Sequence, residues 1–470
     1  MKKHRLLLTG LFLLLLPLLG CDDTQSNNTN NINNTNNVNN VNNLNNTNNV
    51  TCGNQVVDPG EDCDTQLAGE TCEDFGFVQG TLACGDDCNY DFTGCSNIPL
   101  LQYSLDILFV VDDSLSMSEE QLKLRDNFNR FVGILKDEMG VIPSLHVGII
   151  TTSVSLGRDD ITTCQAPTDG KLMRGVACAN PMSGNFIADV EPKGCEIERS
   201  PEGQCTSHTC TQQHCAADAF EVGSEPDGLA LFLDDDGCPR CRNYENEGLT
   251  EVFSCMADVG VEGCGFEQPL EALHLSYTAG HQENEYFFRD SAYLAVVFVS
   301  DEDDCSAQNQ GLFDPASEAL GNFGSFRCTQ WGIACDQPWD TGFVGETMDM
   351  TGCVARPESD SERLLYPISR YVDSLIALKG HPAVISLAAI VGPTDGDMTI
   401  DRDTFGNPHL MYSCTDGDSG AVPGIRFHDL VTAFTLPADR EWAFYPVCES
   451  DYSPALEGIA RNAALAMMEK

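Results

Sequence analysis

Leu105-Asp106-Ile107-Leu108-Phe109-Val110-Val111-Asp112-Asp113-Ser114-Leu115-Ser116 is the stretch whose reading decides the fold. The unbroken apolar run from Ile107 to Val111 predicts a strand buried on both faces, as in a parallel sheet covered by helices. An acidic, hydroxyl-rich turn follows at once. In open α/β sheets ligands bind where loops leave the carboxyl ends of strands, so Asp112, Ser114 and Ser116 occupy the expected position of a site.

Working outward, similar apolar runs lie at 145–150, 293–299 and 384–391, and amphipathic stretches at 119–138, 269–277, 362–378 and 453–468. In the last of these, Leu456, Ile459, Ala460, Ala463 and Met467 share one face, with Ser453 as expected N-cap and Pro454 in the first turn. Alternating strands and helices predict an α/β fold: a doubly wound, mostly parallel sheet flanked by helices over 99–470. Two stretches without periodicity, 158–264 and 305–361, interrupt it. Loops that long are uncommon unless functional or covalently fixed, and these are rich in Cys, so they read as disulfide-tied excursions over the surface.

The N-terminal quarter has a different organisation. Lys2, Lys3, His4 and Arg5 precede an apolar run to Leu19, the pattern of a signal peptide over 1–20. The tract from 27 to 50 repeats Asn-Asn-x and has no face to bury, so 21–51 is expected to be a tether reaching roughly 25–30 Å. Residues 52–98 hold six Cys and few large apolar residues, the composition of a small stapled module.

The formal charge of −47 argues against nucleic acid, which requires clustered Lys and Arg. Of 23 Cys, setting Cys21 aside leaves 22, six up to Cys95 and sixteen from Cys164 to Cys448, so each half can pair internally. Export favours disulfides. The spacing Cys205-x-x-His208-x-Cys210-x-x-x-His214-Cys215, with Cys238-Pro239-Arg240-Cys241, leaves zinc as the alternative.

Three resemblances add to these readings. Leu18-Leu19-Gly20-Cys21 resembles the bacterial lipobox, which implies lipidation at Cys21 and a membrane-anchored, extracytoplasmic chain, at the cell surface or facing the periplasm. The run from Cys52 to Asp64 resembles the cysteine-rich repeat of secreted myxobacterial proteins. The strand followed by Asp-x-Ser-x-Ser resembles the von Willebrand factor type A domain and its metal-ion-dependent adhesion site. That last resemblance implies Mg²⁺, or Ca²⁺ or Mn²⁺, with Ser114 and Ser116 as direct ligands and Asp112 holding ligand waters. Asp301, after the strand ending Phe298-Val299-Ser300, takes the place of the family's late aspartate. An open position on the ion would attract an acidic side chain of a protein or extracellular-matrix partner.

The sequence departs from the family where a threonine is expected, because Glu267 falls near that position in Gly263-Cys264-Gly265-Phe266-Glu267. If Glu267 reaches the metal, the ion should be held more tightly and attract an acidic partner less; if it points away, the site has lost a ligand. Asp301-Glu302-Asp303-Asp304 also replaces the usual Asp-Gly turn and reads as a solvated acidic turn, with a second cation site as the alternative.

The expected function is therefore metal-dependent adhesion rather than catalysis. Gly417-Asp418-Ser419-Gly420 matches the serine-protease tetrapeptide, which keeps a secreted hydrolase using Ser419 as an alternative. It lacks the usual Ala-His-Cys setting of the base. A structural envelope protein with a degenerate metal site is the third reading.

Overall fold

A computed structural model describes residues 103–468 except 159, 162–163, 165, 177–181, 202, 246, 340–346, 418 and 436–442, with short pieces between 57 and 96. The expected signal peptide at 1–20, Cys21 and the Asn-rich tether lie outside the described residues.

The central sheet has eight strands: β1 (Ser104–Val111), β2 (Ser144–Thr151), β3 (Ile187–Val190), β4 (Ala230–Leu233), β5 (Pro239–Arg242), β6 (Tyr293–Val299), β7 (Ile385–Val391) and β8 (Phe444–Pro446). Their order is β4-β5-β3-β2-β1-β6-β7-β8. The run β2-β1-β6-β7-β8 is parallel, whereas β3, β5 and β4 extend one edge through antiparallel pairs. All residues of β1, β2, β3 and β6 are buried, as the unbroken apolar runs require.

The helices are α1 (Ser118–Met139), α2 (Leu249–Met256), α3 (Pro269–Thr278), α4 (Phe326–Gly332), α5 (Ile368–Lys379), α6 (Ile425–Phe434) and α7 (Ser453–Met468). Phe109 of β1 packs against Phe128 of α1 and Phe253 of α2, which places these helices on one face. Phe298 of β6 pairs in register with Val110 and so points the opposite way, meeting Phe427 of α6. Apolar side chains thus cover the sheet on both sides. On α7 the expected face, Leu456, Ile459, Ala460, Ala463 and Met467, is buried.

Several boundaries differ from expectation for identifiable reasons. β1 begins at Ser104 because Asp106 is neutralised inside the strand by the backbone N–H and Nε of Arg289, each at 2.8 Å. α5 starts six residues later than 362. Ala307 bridges to Leu365 and the Tyr366 N–H donates to Ser306, so this segment is extended until Pro367 permits a helix. At α7 the Asp451 carboxylate accepts the Ser453 N–H, and the Ser453 hydroxyl donates instead to Asn127 of α1.

The largest correction concerns 158–264. This stretch is not confined to the surface: it supplies β3, β4, β5 and α2, and Ile187, Cys241 and Phe253 sit in the main core. Its Cys-rich spacing and sparse periodicity conceal short strands held by local staples. Cys164–Cys264 joins its two ends, and Cys195–Cys210, Cys205–Cys238 and Cys215–Cys241 lie inside it. Cys305–Cys328, Cys335–Cys353 and Cys414–Cys448 tie the later segments, and Cys63–Cys84 ties the N-terminal module. Cys205, Cys210, Cys215, Cys238 and Cys241 are all consumed in disulfides, which leaves no thiolate among them for zinc. His214 Nδ1 instead accepts the Thr211 N–H at 2.8 Å. No helix among the described residues is long and apolar enough to cross a membrane. The disulfides are compatible with an oxidising, extracytoplasmic setting.

Candidate functional site

The site follows from register. Val111 of β1 lies beside Val299 of β6, so residues 112 and 300 leave the sheet side by side. The Asp112 N–H donates to Val299 O at 3.0 Å, and the Ser300 hydroxyl donates to Asp112 Oδ2 at 2.7 Å. The other Asp112 oxygen accepts the Ser114 N–H at 2.8 Å, closing the turn that leads into α1. That turn brings Ser114 Oγ and Ser116 Oγ within 3.2 Å of each other and leaves Leu115, between them, 80% exposed. The Ser116 hydroxyl lies near enough to Asp301 to favour its carboxylate, and the Asp301 carbonyl accepts the Val422 N–H at 3.0 Å.

Glu267 arrives from a third loop. The Gly263 N–H donates to Asp113 O at 2.8 Å, and a Cβ at 263 would lie 2.3 Å from Asp113 Cγ, so this approach requires glycine. The Cys164–Cys264 disulfide, the Gln268 N–H on Thr152 O and the Cys305 N–H on Glu267 O then fix the loop. Glu267 is 1% exposed. Its carboxyl group lies beside Glu302 and within electrostatic reach of Asp112. The structure thus brings Asp112, Ser114, Ser116, Glu267 and Asp301 to one end of β1 and β6.

These acids are poorly compensated. Burial pushes Asp112 above the usual carboxylate range despite its bonds from Ser300 and Ser114. Burial and then the neighbouring Asp112 push Asp301 up to about 8. Glu267 is raised well above its ordinary value by burial, with Glu302 and Asp112 adding to the shift, and Glu302 is raised by burial as well. No Lys, Arg or His among the described residues forms an ion pair with Asp112, Glu267, Asp301 or Glu302, and Asp301 Oδ1 is buried without a hydrogen-bond partner.

No protein-family model matches the chain, and no curated protein or solved structure is significantly similar to it. Function must be argued from the site itself. Among the described residues no three His, Cys, Asp or Glu side chains group as ligands of one ion. The set at β1 is mixed, two hydroxyls with carboxylates around them. In kind it suits a hard divalent cation, which takes oxygen donors. The unpartnered Asp301 oxygen and the uncompensated acids are what such an ion would satisfy.

The turn from Asp301 to Asp304 corrects the expectation of a solvated acidic loop. Asp304 is 1% exposed; its Oδ2 accepts from Arg426 Nε at 2.8 Å, and its Oδ1 accepts the Leu270 N–H at the start of α3. Asp303 accepts the Arg426 N–H in the first turn of α6. Each carboxylate therefore serves a helix N-terminus, where N–H groups lack partners and the dipole favours negative charge. The Asp-Asp spacing was visible, but nothing local in it shows that two distant helices begin there.

Sequence reasoning also missed Asp113, Ser153 and Ser300. Asp113 Oδ1 accepts from the Ser153 hydroxyl at 2.8 Å, and Ser153 Oγ accepts the Cys264 N–H at 2.7 Å, linking the first and third loops. Burial raises Asp113 to about 6. Ser419 stands apart, exposed in a short strand, Ser419–Ala421, paired with Cys414–Asp416.

Proposed function

We propose that the chain is a lipid-anchored, extracytoplasmic adhesion protein whose α/β domain is of the von Willebrand factor type A kind and binds a protein or matrix ligand through a divalent cation. One observation carries this reading: two turn hydroxyls 3.2 Å apart lie beside buried carboxylates with no cationic partner among the described residues, at the carboxyl end of the central parallel strands. Ser114, Ser116 and Asp301 would hold the ion, with Asp112 and Glu267 behind them. A bound Mg²⁺, Ca²⁺ or Mn²⁺ would supply a positive centre for an oxygen of the partner.

The chain's own residues account for the rest. Asp112 fixes the turn through the Ser114 N–H, so both hydroxyls are positioned in advance. Leu115 presents an apolar contact between them. The reading includes no catalytic step; Ser419 has no hydrogen bond to a histidine among the described residues.

The test is capture of envelope proteins and matrix components on the immobilised chain in Mg²⁺ and in EDTA, beside Ser114→Ala/Ser116→Ala. The proposal expects a partner retained in Mg²⁺, released by EDTA and absent from the double variant. The same partners retained in all three arms would leave only a structural envelope role.

A further inference from the structure

A second cleft, about 770 Å³ and open to solvent, lies between the 307–310 and 358–366 segments. Its volume falls within the range of small-ligand sites, about 300–1,000 Å³. Both walls are fixed. Cys305–Cys328 anchors the first, and the Gln308 and Asn309 N–H groups both donate to Leu364 O, joining it to the second. The second is held by Arg356 Nη1 on Asp360 Oδ2 at 2.7 Å and the Glu362 N–H on Asp360 Oδ1 at 2.8 Å.

The lining is polar and nearly charge-balanced. Gln308 Oε1 accepts from Arg363 Nη1 at 2.6 Å, which orients both groups and leaves the Gln308 amide N–H₂ to donate. The side chains of Gln310, Ser359 and Ser361 have no hydrogen-bond partner among the described residues. Tyr366 adds an aromatic wall, its ring braced by the Arg370 guanidinium at 3.7 Å. Asp360 is offset by Arg356, so the remaining formal charges are Glu358 and Arg363.

Such a surface disfavours three ligand classes. An anion such as a phosphate needs clustered cations or helix N-termini. A lipid needs an apolar lining, and an extended peptide uses a free strand edge or side-chain pockets. The Gln308 N–H₂, the Gln310 amide and the Ser359 and Ser361 hydroxyls, beside an aromatic ring, match a molecule that is itself densely hydroxylated, in which each group both donates and accepts. We propose that this cleft is a binding site for a neutral oligosaccharide, distinct from the β1 site and independent of its cation.

The full chain, in EDTA and in a detergent without a sugar headgroup, is titrated with maltotriose, cellotriose, chitotriose and mannotriose, with the peptide Gly-Ser-Gly as comparison. Binding is read by saturation-transfer NMR. The proposal expects transfer to at least one trisaccharide and at least a tenfold loss of affinity in Ser361→Trp, whose exposed position lets the ring fill the cleft without disturbing the core. Gln308→Ala, expected to weaken binding at least threefold, serves if Ser361→Trp melts early. No transfer to any trisaccharide, transfer undiminished in both variants, or transfer to the peptide alone would overturn it. EDTA throughout keeps failure here separate from failure of the metal-dependent reading.

Discussion

Asp106 and Asp112 lie six residues apart along β1 and its exit, both completely buried, yet their surroundings are opposite. At the amino end Asp106 meets Arg289 at 2.8 Å and Lys379 at 3.4 Å; the same Arg289 reaches Glu225, which is bonded to His146 at 2.8 Å. Nearby Asp189, shared by Arg240 and Arg242, is held below the usual carboxylate range, with the cost of burial outweighed by the two guanidinium groups. At the carboxyl end, among the described residues, the Asp112 carboxylate accepts from an N–H and a hydroxyl with no cation, and its ionisable neighbours are Asp301, Glu267 and Glu302. Buried charges that only support a fold are matched by protein cations. A set left unmatched marks where an external cation is expected.

The largest effect is expected at the amino end. Asp106→Ala leaves Lys379 buried without its acid and Arg289 with Glu225 alone, and urea unfolding should show a loss of roughly 3–5 kcal/mol whether or not Mg²⁺ is present. A loss that Mg²⁺ reverses would mean that the two ends are not functionally separate.

A pH series sharpens the contrast at the carboxyl end. Asp301 ionises near 3.8 when unfolded and at about 8 when folded, so between these values the native chain holds more protons than the unfolded one. Stability contributed at low pH is therefore lost as pH rises from about 4 and levels off at about 8. Thermal melting in EDTA should fall across that window, Mg²⁺ should restore it most at pH 8, and Glu267→Gln should flatten the slope. A melting temperature in EDTA that rises steadily through the same window would contradict the reading.

The smallest expected effect on folding is at Leu115, which is 80% exposed. Leu115→Ala should change stability by no more than about 0.5 kcal/mol while reducing Mg²⁺-dependent partner capture. A large destabilisation would reassign the turn to a structural role.

Much of the parallel sheet was legible because fully buried strands carry unbroken apolar runs: Tyr293–Val299 appears as expected, and Ser104–Val111 only begins earlier. The antiparallel edge was not. Pro239–Arg242 contains two arginines and a cystine sulfur, and its burial depends on Asp189 from another strand, which no local pattern reveals. At the site, Asp112, Ser114 and Ser116 were legible from their position after a buried strand. Asp301 came only from what the family resemblance implies. Ser300 and Asp113 were not, since their importance comes from β1–β6 register and from the approach of Gly263.

Isothermal titration of the chelator-stripped full chain with Mg²⁺, Mn²⁺ and Ca²⁺, beside Ser114→Ala, bears most directly on why these acids remain unpaired. One saturable site per chain for at least one of these ions, weakened at least tenfold in Ser114→Ala, is the predicted result. No heat with any of them, or indistinguishable isotherms for the two proteins, would contradict a cation at the end of β1.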